Sequence, residues 1–365
     1  MQRTPTRAAV LRKPGTPLVI EDLFLDAPLT GEVLVRTLAV GLCHSDLHYI
    51  TGDQPIELPA VLGHEAVGEI VGVTDPKLEH RLGQRVAISI TPLCGRCANC
   101  AQGRATQCLN TSQMRQRVRP RLLDASGRQV ETLGAIGAFA EHFIVGSNAA
   151  VELERGIPPV EASLLSCCIS TGFGAVNHAA RVSPLDSVAV IGCGGVGVAV
   201  IQAAKIAGAR RIIALDLHQA KLDRARFFGA THTVLADDNA LIQVQEVCPG
   251  GVDKSFEAVG NPTVAALAFN LLAPGGTATI LGLERPGSRI EVDAALLIEG
   301  DRKLIGAYMG ASQPPRDIPL FVEHRTAGNL NLDSMVTSRW RFEQINEGFE
   351  AMKDPDAIRA VLEFA

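Results

Sequence analysis

The sequence predicts an α/β protein of two domains, one rich in β-structure and one built on a doubly wound parallel sheet. Three observations carry this. The chain has 365 residues, 47% of them apolar and 20% charged, which suits about two folded domains with sizeable cores. Short β-like segments with turn punctuation fill its first half. From Ser187 the pattern becomes strand, glycine turn, helix, strand, helix, as a parallel sheet requires. Glycine is abundant (35) while aromatics reach only 4%, which favours an aliphatic core with tight turns. Collagen, disorder and coiled coil are excluded.

The expected elements follow in order. Residues 8–11 are strand-like, 32–40 alternate toward an apolar end, 66–73 form a glycine-broken strand, and 85–90 another. The character changes after about Ile157. An apolar strand over 187–191 leads to a helix over 196–207, and a strand over 211–215 leads to a helix over 221–228. Strands follow at 233–235, 253–257 and 276–281, with a helix over 263–272 between the last two. Beyond about Gly306 the pattern loosens, and 358–364 reads as a strand returning to the first domain.

A net charge of -5 offers no basic surface for nucleic acid or an anionic membrane. The longest apolar stretch, 188–201, is interrupted by four glycines and is too short to span a bilayer. The first residues hold neither an apolar core nor a small-residue cleavage site, so no signal peptide and a cytoplasmic location are expected. In that setting nine cysteines, an odd number, argue for metal rather than a disulfide framework.

Cys94, Cys97, Cys100 and Cys108 are the strongest local signal. Four thiolates at spacings of three, three and eight can converge on one tetrahedral zinc, with Zn–S distances of about 2.3 Å. Gly95 and Gly103 permit the bends. Four thiolates leave no position for water, so this zinc would be structural. Four buried thiols without a metal, or an iron–sulfur cluster, would also account for the spacing.

Gly192, Gly194 and Gly197, with Gly195 and Val196 between them, follow the apolar strand and open a helix. That is the setting in which a GxGxxG pattern binds a dinucleotide pyrophosphate. Asp216 ends the next strand 19 residues after Gly197, placed to accept both ribose hydroxyls. A carboxylate there disfavours a 2′-phosphate and points to NAD over NADP. An ordinary glycine-rich turn would give the same local pattern.

Cys43 stands before His44-Ser45-Asp46-Leu47-His48 on what reads as a loop, and Gly63-His64-Glu65 lies at another turn. With Cys167 these could supply thiolate, imidazole and thiolate to one ion, leaving a fourth position open as in a catalytic zinc. Nothing local proves that they meet, and His64 alone reads equally well as a structural residue.

These motifs, taken in order over essentially the whole chain and with Arg359 in the tail, resemble the zinc-dependent medium-chain dehydrogenase/reductase family. Within it the resemblance is to the alcohol dehydrogenases. It implies a GroES-like, β-rich catalytic domain over 1–168 and 309–365, with a structural zinc lobe at about 94–108. It also implies a Rossmann coenzyme domain over 169–308. The catalytic zinc ligands then fall on Cys43, His64 and Cys167, with Cys167 preferred over Cys168 by the family's spacing to Thr171-Gly172.

Asp46 matches the carboxylate that orients the histidine ligand, and Glu65 the acid behind the zinc. Ser45 and His48 match the proton relay, and Thr171, Lys221 and Arg359 match residues that hold the cofactor. The implied chemistry is that of a zinc-dependent alcohol dehydrogenase with two zinc ions per subunit and NAD. Zinc acidifies the alcohol, the proton leaves through Ser45, the cofactor ribose and His48, and hydride passes to the nicotinamide.

Several positions depart from well-known members. His44 takes a place often held by arginine near the pyrophosphate, which would weaken cofactor binding. Ile90 stands where many members carry an aromatic pocket wall, so a bulky primary alcohol (benzylic, allylic or medium-chain) or its aldehyde is the expected substrate. The stretch 109–132 is longer than in short-loop tetrameric members, which favours a homodimer by analogy. Arg115, Arg117, Arg119 and Arg121 make that stretch basic, either as a solvated loop or as a site for an anionic or thiol-linked substrate. Ser112 replaces the anion-binding arginine of glutathione-dependent formaldehyde dehydrogenases, which counts against a thiol-dependent formaldehyde dehydrogenase. The same motifs are compatible with a nicotinoprotein that keeps its cofactor bound, or with a non-catalytic nucleotide-binding module. Intact zinc ligands beside Ser45 and His48 speak against the latter.

Overall fold

Strand Glu32–Gly41 organises the first half of the chain. One edge pairs antiparallel with strand Glu65–Val73. The other is shared, its start pairing with His142–Gly146 and its end with the tail strand Arg359–Glu363. The expected return of the tail to the first domain is therefore observed. These strands belong to a seven-stranded sheet completed by Arg85–Ile88, Ala150–Glu152 and Val336–Arg341. A five-stranded sheet centres on Thr4–Leu11, which pairs with Val19–Leu25 and Ala60–Val61. Inward residues of both sheets close one aliphatic core around Phe139 and Phe143, with Phe349 set edge-on against Phe139 at 5.8 Å. Each such buried side chain contributes roughly 1.5–3 kcal/mol.

The computed structural model describes residues 3–115 and 121–365. The chain divides into two units, Met1–Cys167 with Gln313–Val322 and Leu332–Ala365, and Cys168–Ser312 with Glu323–Asn331.

In the second unit six parallel strands run in the order His232–Leu235, Arg211–Asp216, Ser187–Ile191, Val252–Glu257, Leu272–Ile280 and Lys303–Gly306. Ser187–Ile191 and Val252–Glu257 flank the point where strand order reverses, the place where open α/β sheets take their ligands. Helices Gly195–Ile206, Gln219–Phe228 and Pro262–Asn270 follow their strands as the alternating pattern predicts.

Three local readings change. The segment around His48 is a helix, His44–Thr51, rather than a loop, with Cys43 as its N-cap residue and Asp46 favouring the positive end of the first turn. The helix expected over 263–272 stops at Asn270, because Pro274 disfavours helix at the residue before it and Leu272 instead pairs with Val252. The strand expected to Ile90 ends at Ile88, where the Ser89 hydroxyl accepts the Thr91 amide at 3.1 Å and turns the chain. Among the described residues no single helix is long and apolar enough to cross a membrane.

Candidate functional site

Cys43, His64 and Cys167 all lie in the first unit, and their ligand atoms fall within 4.8 Å of one another. Each is delivered by a different device. Cys43 lies two residues past the central strand and is the N-cap residue of the following helix. Gly63, at φ +90°, turns the chain so that His64 faces inward; a Cβ there would meet Phe139 at 2.7 Å. Cys167 closes a short helical turn that follows Pro159–Ser163. All three side chains are buried.

The Cys167 thiol, donating to Cys43, holds Cys43 well below the ordinary thiol range in spite of burial, and His64 and Arg359 add to this. The same contact pushes Cys167 up. Burial disfavours a charged His64, yet the Asp46 carboxylate and the Cys43 sulfur raise it well above the usual imidazole value. Two sulfurs and an imidazole buried this close together form a donor set that a Zn²⁺ ion would satisfy.

Asp46 lies one helical turn past Cys43, and its Oδ1 accepts the Gly63 amide at 3.0 Å and faces His64 Nδ1 at 3.3 Å. Nδ1 is thereby engaged, which leaves Nε2 for a metal. Glu65 Oε2 lies 3.5 Å from Arg359 Nη2, and Arg359 also donates to the Leu42 carbonyl at 3.2 Å. Gly41 makes room for the Glu65 side chain, since a Cβ there would meet it at 2.8 Å. Ser45 and His48 stand three residues apart on the helix, hence on one face. His44 begins that helix and is exposed.

Cys94, Cys97, Cys100 and Cys108 form a second cluster, also in the first unit. Cys94 and Cys100 sulfurs are 4.0 Å apart, and those of Cys97 and Cys108 3.9 Å. A tetrahedral zinc with Zn–S of about 2.3 Å sets its sulfurs about 3.8 Å apart, so the lobe has the dimensions of a closed four-thiolate site. The Arg96 backbone amide and the Asn110 side-chain amide, 3.2 Å from the Cys94 sulfur, hold that thiol down at about 6. Sequence reasoning misses Asn110, whose only signal is an amide two residues past the last lobe cysteine.

In the second unit Gly192 takes φ +91°, and a Cβ on Gly197 would lie 1.8 Å from the Gly192 carbonyl oxygen. Helix Gly195–Ile206, which includes Val196, starts there with Gly194 as N-cap and nothing within 4 Å of a Cβ on Gly194. The turn leaves a cradle open to an anion at the helix N-terminus. Asp216 accepts the Cys193 amide at 2.8 Å and the His218 amide at 3.0 Å, so it ties the glycine turn to the end of its own strand. Lys221 lies close enough to Cys193 to affect its thiol. Thr171 sits in helix Cys168–Gly174, its hydroxyl 3.7 Å from the Met309 sulfur.

The basic stretch is only partly described. Arg117 and Arg119 lie outside the described residues, and Arg115 ends helix Thr111–Arg115. Arg121 belongs to no solvated face. It is buried, donates to the Ala27 carbonyl at 2.7 Å and pairs with Glu32.

Residues 30–155 match the alcohol dehydrogenase GroES-like domain family, and residues 195–324 match the zinc-binding dehydrogenase family. The chain is 34% identical to an NDMA-dependent alcohol dehydrogenase of Amycolatopsis methanolica, over 98% of both chains. Its fold superposes on an alcohol dehydrogenase zinc-binding domain protein from Burkholderia ambifaria with a TM-score of 0.93, at 32% identity and full coverage of both. A benzyl alcohol dehydrogenase from Acinetobacter calcoaceticus matches with a TM-score of 0.90 at 28% identity, covering 99% of this chain and 100% of that one. With relatives alike over nearly its whole length, the chain belongs to the zinc-dependent medium-chain alcohol dehydrogenase family.

Proposed function

We propose that the protein is a zinc-dependent alcohol dehydrogenase that transfers hydride between NAD and a bulky primary alcohol or its aldehyde. The observation that carries this reading is the buried Cys43, His64 and Cys167 cluster with Asp46 set behind His64. Three protein ligands leave a fourth position for a substrate oxygen. When bound, zinc supplies a Lewis acid that acidifies the alcohol, and NAD supplies the hydride acceptor.

The chain's own residues do the rest. Cys43, His64 and Cys167 would hold the ion, with Asp46 engaging Nδ1 of His64 so that Nε2 is the ligand atom, and Glu65 would be the acid paired with Arg359 beside that set. Ser45 takes the alcohol's hydroxyl proton and His48 passes it to water. Gly192, Gly194, Gly195, Val196 and Gly197 admit the pyrophosphate. Each Asp216 oxygen keeps a further lone pair for a ribose hydroxyl, where a 2′-phosphate would be repelled. Lys221 and Thr171 of the second unit, and His44 and Arg359 of the first, are the further residues we assign to cofactor binding. Cys94, Cys97, Cys100 and Cys108 would hold a second, structural zinc.

Likeness to a benzyl alcohol dehydrogenase and the branched aliphatic Ile90 support a benzylic, allylic or medium-chain substrate. A homodimer is supported by two features of the second unit. Strand Lys303–Gly306 lies at the sheet edge, and the apolar helix Ala294–Glu299 before it has no buried residue and exposes Leu296, Leu297 and Ile298.

A second reading is that NAD stays bound and an external acceptor regenerates it; likeness to an NDMA-dependent enzyme favours it. One experiment separates them. Purified protein is given NAD, or NDMA without added NAD, together with ethanol, hexanol, benzyl and cinnamyl alcohols, a secondary alcohol, and formaldehyde with and without thiols. Turnover of the bulky primary alcohols that is lost on chelation supports the first reading. Turnover only with NDMA, and NADH released on denaturation, supports the second. Activity confined to a thiol adduct would replace both.

A further inference from the structure

Helix His44–Thr51 ends at Gly52, whose φ of +87° lies in the left-handed region and whose amide donates to the Tyr49 carbonyl. The reversal brings Asp53 back against the last turn. There its Oδ2 accepts the Thr51 hydroxyl at 3.0 Å and stands 3.5 Å from Nδ1 of His48. The Gln54 amide donates to the His48 carbonyl at 3.1 Å, tying the turn to the residue it serves. His48 and Asp53 are both partly buried, 29% and 23% exposed, so neither side chain swings freely in water. Five consecutive residues, Tyr49 to Asp53, thus carry a carboxylate from the helix end to one nitrogen of the imidazole one turn earlier.

We propose that Asp53 is a positioning residue for His48. It accepts Nδ1–H of the neutral ring and so fixes the tautomer in which Nε2 carries the lone pair. The proposal rests on the reading of His48 as the group that passes the proton to water. In alcohol oxidation the hydroxyl proton leaves by way of Ser45 and binds the Nε2 lone pair, giving an imidazolium. That cation loses one proton from Nε2 to water, and Asp53 keeps its charge throughout. The opposite tautomer would present an N–H where a lone pair is required, and proton transfer would wait for the ring to re-equilibrate.

The test is the ¹⁵N spectrum of the histidine side chains in the zinc-loaded protein, with His48 assigned by its absence in His48→Gln. The expected signature is Nδ1–H for His48 in the unaltered protein and a mixed or Nε2–H signature in Asp53→Asn. The same variant is expected to lose about tenfold or more in kcat/KM for alcohol oxidation, with NADH affinity unchanged and partial recovery in Asp53→Glu. Thr51→Val removes only the hydroxyl that steadies Asp53, so it moves the spectrum the same way by less and covers the case in which Asp53→Asn does not fold. An identical His48 tautomer in the unaltered protein and its folded variants would overturn the proposal, as would NADH affinity and melting temperature falling together with turnover. Absence of alcohol turnover in the unaltered protein would instead remove the relay reading, while the spectra still judge the pairing.

Discussion

Asp46 Oδ1 lies 3.3 Å from Nδ1 of His64, and the side chains are only 0% and 3% exposed. The same oxygen accepts the Gly63 amide, so backbone and ligand are aligned by one carboxylate. If His64 presents Nε2 to zinc, Asp46→Asn keeps the shape and removes the charge that orients and strengthens the ligand. We expect zinc affinity to fall about 10–100-fold, with turnover following it and partly restored by excess zinc. Zinc content after dialysis against graded chelator is the measurement. Unchanged retention would sink the assignment.

If the two cysteine clusters hold a catalytic and a structural zinc as proposed, they should fail in different ways. Cys43→Ala removes a ligand from an open site inside a core that stands without it. Turnover and one equivalent of zinc should be lost while NADH binding and melting temperature stay close to those of the parent. Cys100→Ala opens the closed lobe, where metal binding is folding energy, and should lower the melting temperature by several degrees. Calorimetry and zinc analysis on both variants read this directly. If both merely melted earlier, the division into catalytic and structural zinc would be wrong.

How much of this is legible in the sequence depends on the distance over which each signal acts. The lobe cysteines and the glycine turn are local: their spacing already brings four thiols together and marks a strand–turn–helix junction. The meeting of Cys43, His64 and Cys167 is not, because 103 residues separate the last two and only the shared sheet and its loops bring them together. The helix over His44–Thr51 is hidden because its short length gives little periodicity; the capping glycine at 52 is the available clue. Arg121 misleads because four alternating arginines read as one solvated face, whereas the pairing of a buried Arg121 with Glu32 is visible only once residues 89 apart are in contact.

Two glycines of the same turn make a paired test of the cofactor cradle. At Gly197 an added Cβ collides with the Gly192 carbonyl oxygen at 1.8 Å, so Gly197→Ala must distort the turn and should destabilise the fold by about 3 kcal/mol or more. At Gly194 nothing lies within 4 Å and φ is -76°, so Gly194→Ala should fold normally. Its methyl would occupy the space through which backbone approaches a pyrophosphate. NADH titration should then show at least a tenfold weaker Kd at an unchanged melting temperature, a loss of about 1.4 kcal/mol or more. Full affinity in Gly194→Ala would place the dinucleotide elsewhere.

Asp124 gives the fold a pH dependence independent of any metal. Its Oδ1 accepts the Ser126 hydroxyl at 2.6 Å and the Ser126 and Arg128 amides at 3.0 Å each. The Ser126 hydroxyl above all, then the Arg128 and Ser126 amides and the Arg128 charge, hold the carboxyl down at about 2 against an ordinary value of 3.8. A carboxyl with a depressed folded-state value contributes stability that is fully present above 3.8 and is lost as pH falls toward about 2. Asp124→Asn keeps an acceptor oxygen for the same donors but has no charge to lose. It should therefore be less stable than the parent at pH 7, with the gap narrowing below about pH 4 and closing near pH 2. Urea midpoints for both proteins across that range would show it, and a gap that stayed constant with pH would mean that the carboxylate's charge plays no part in holding the 122–130 turn.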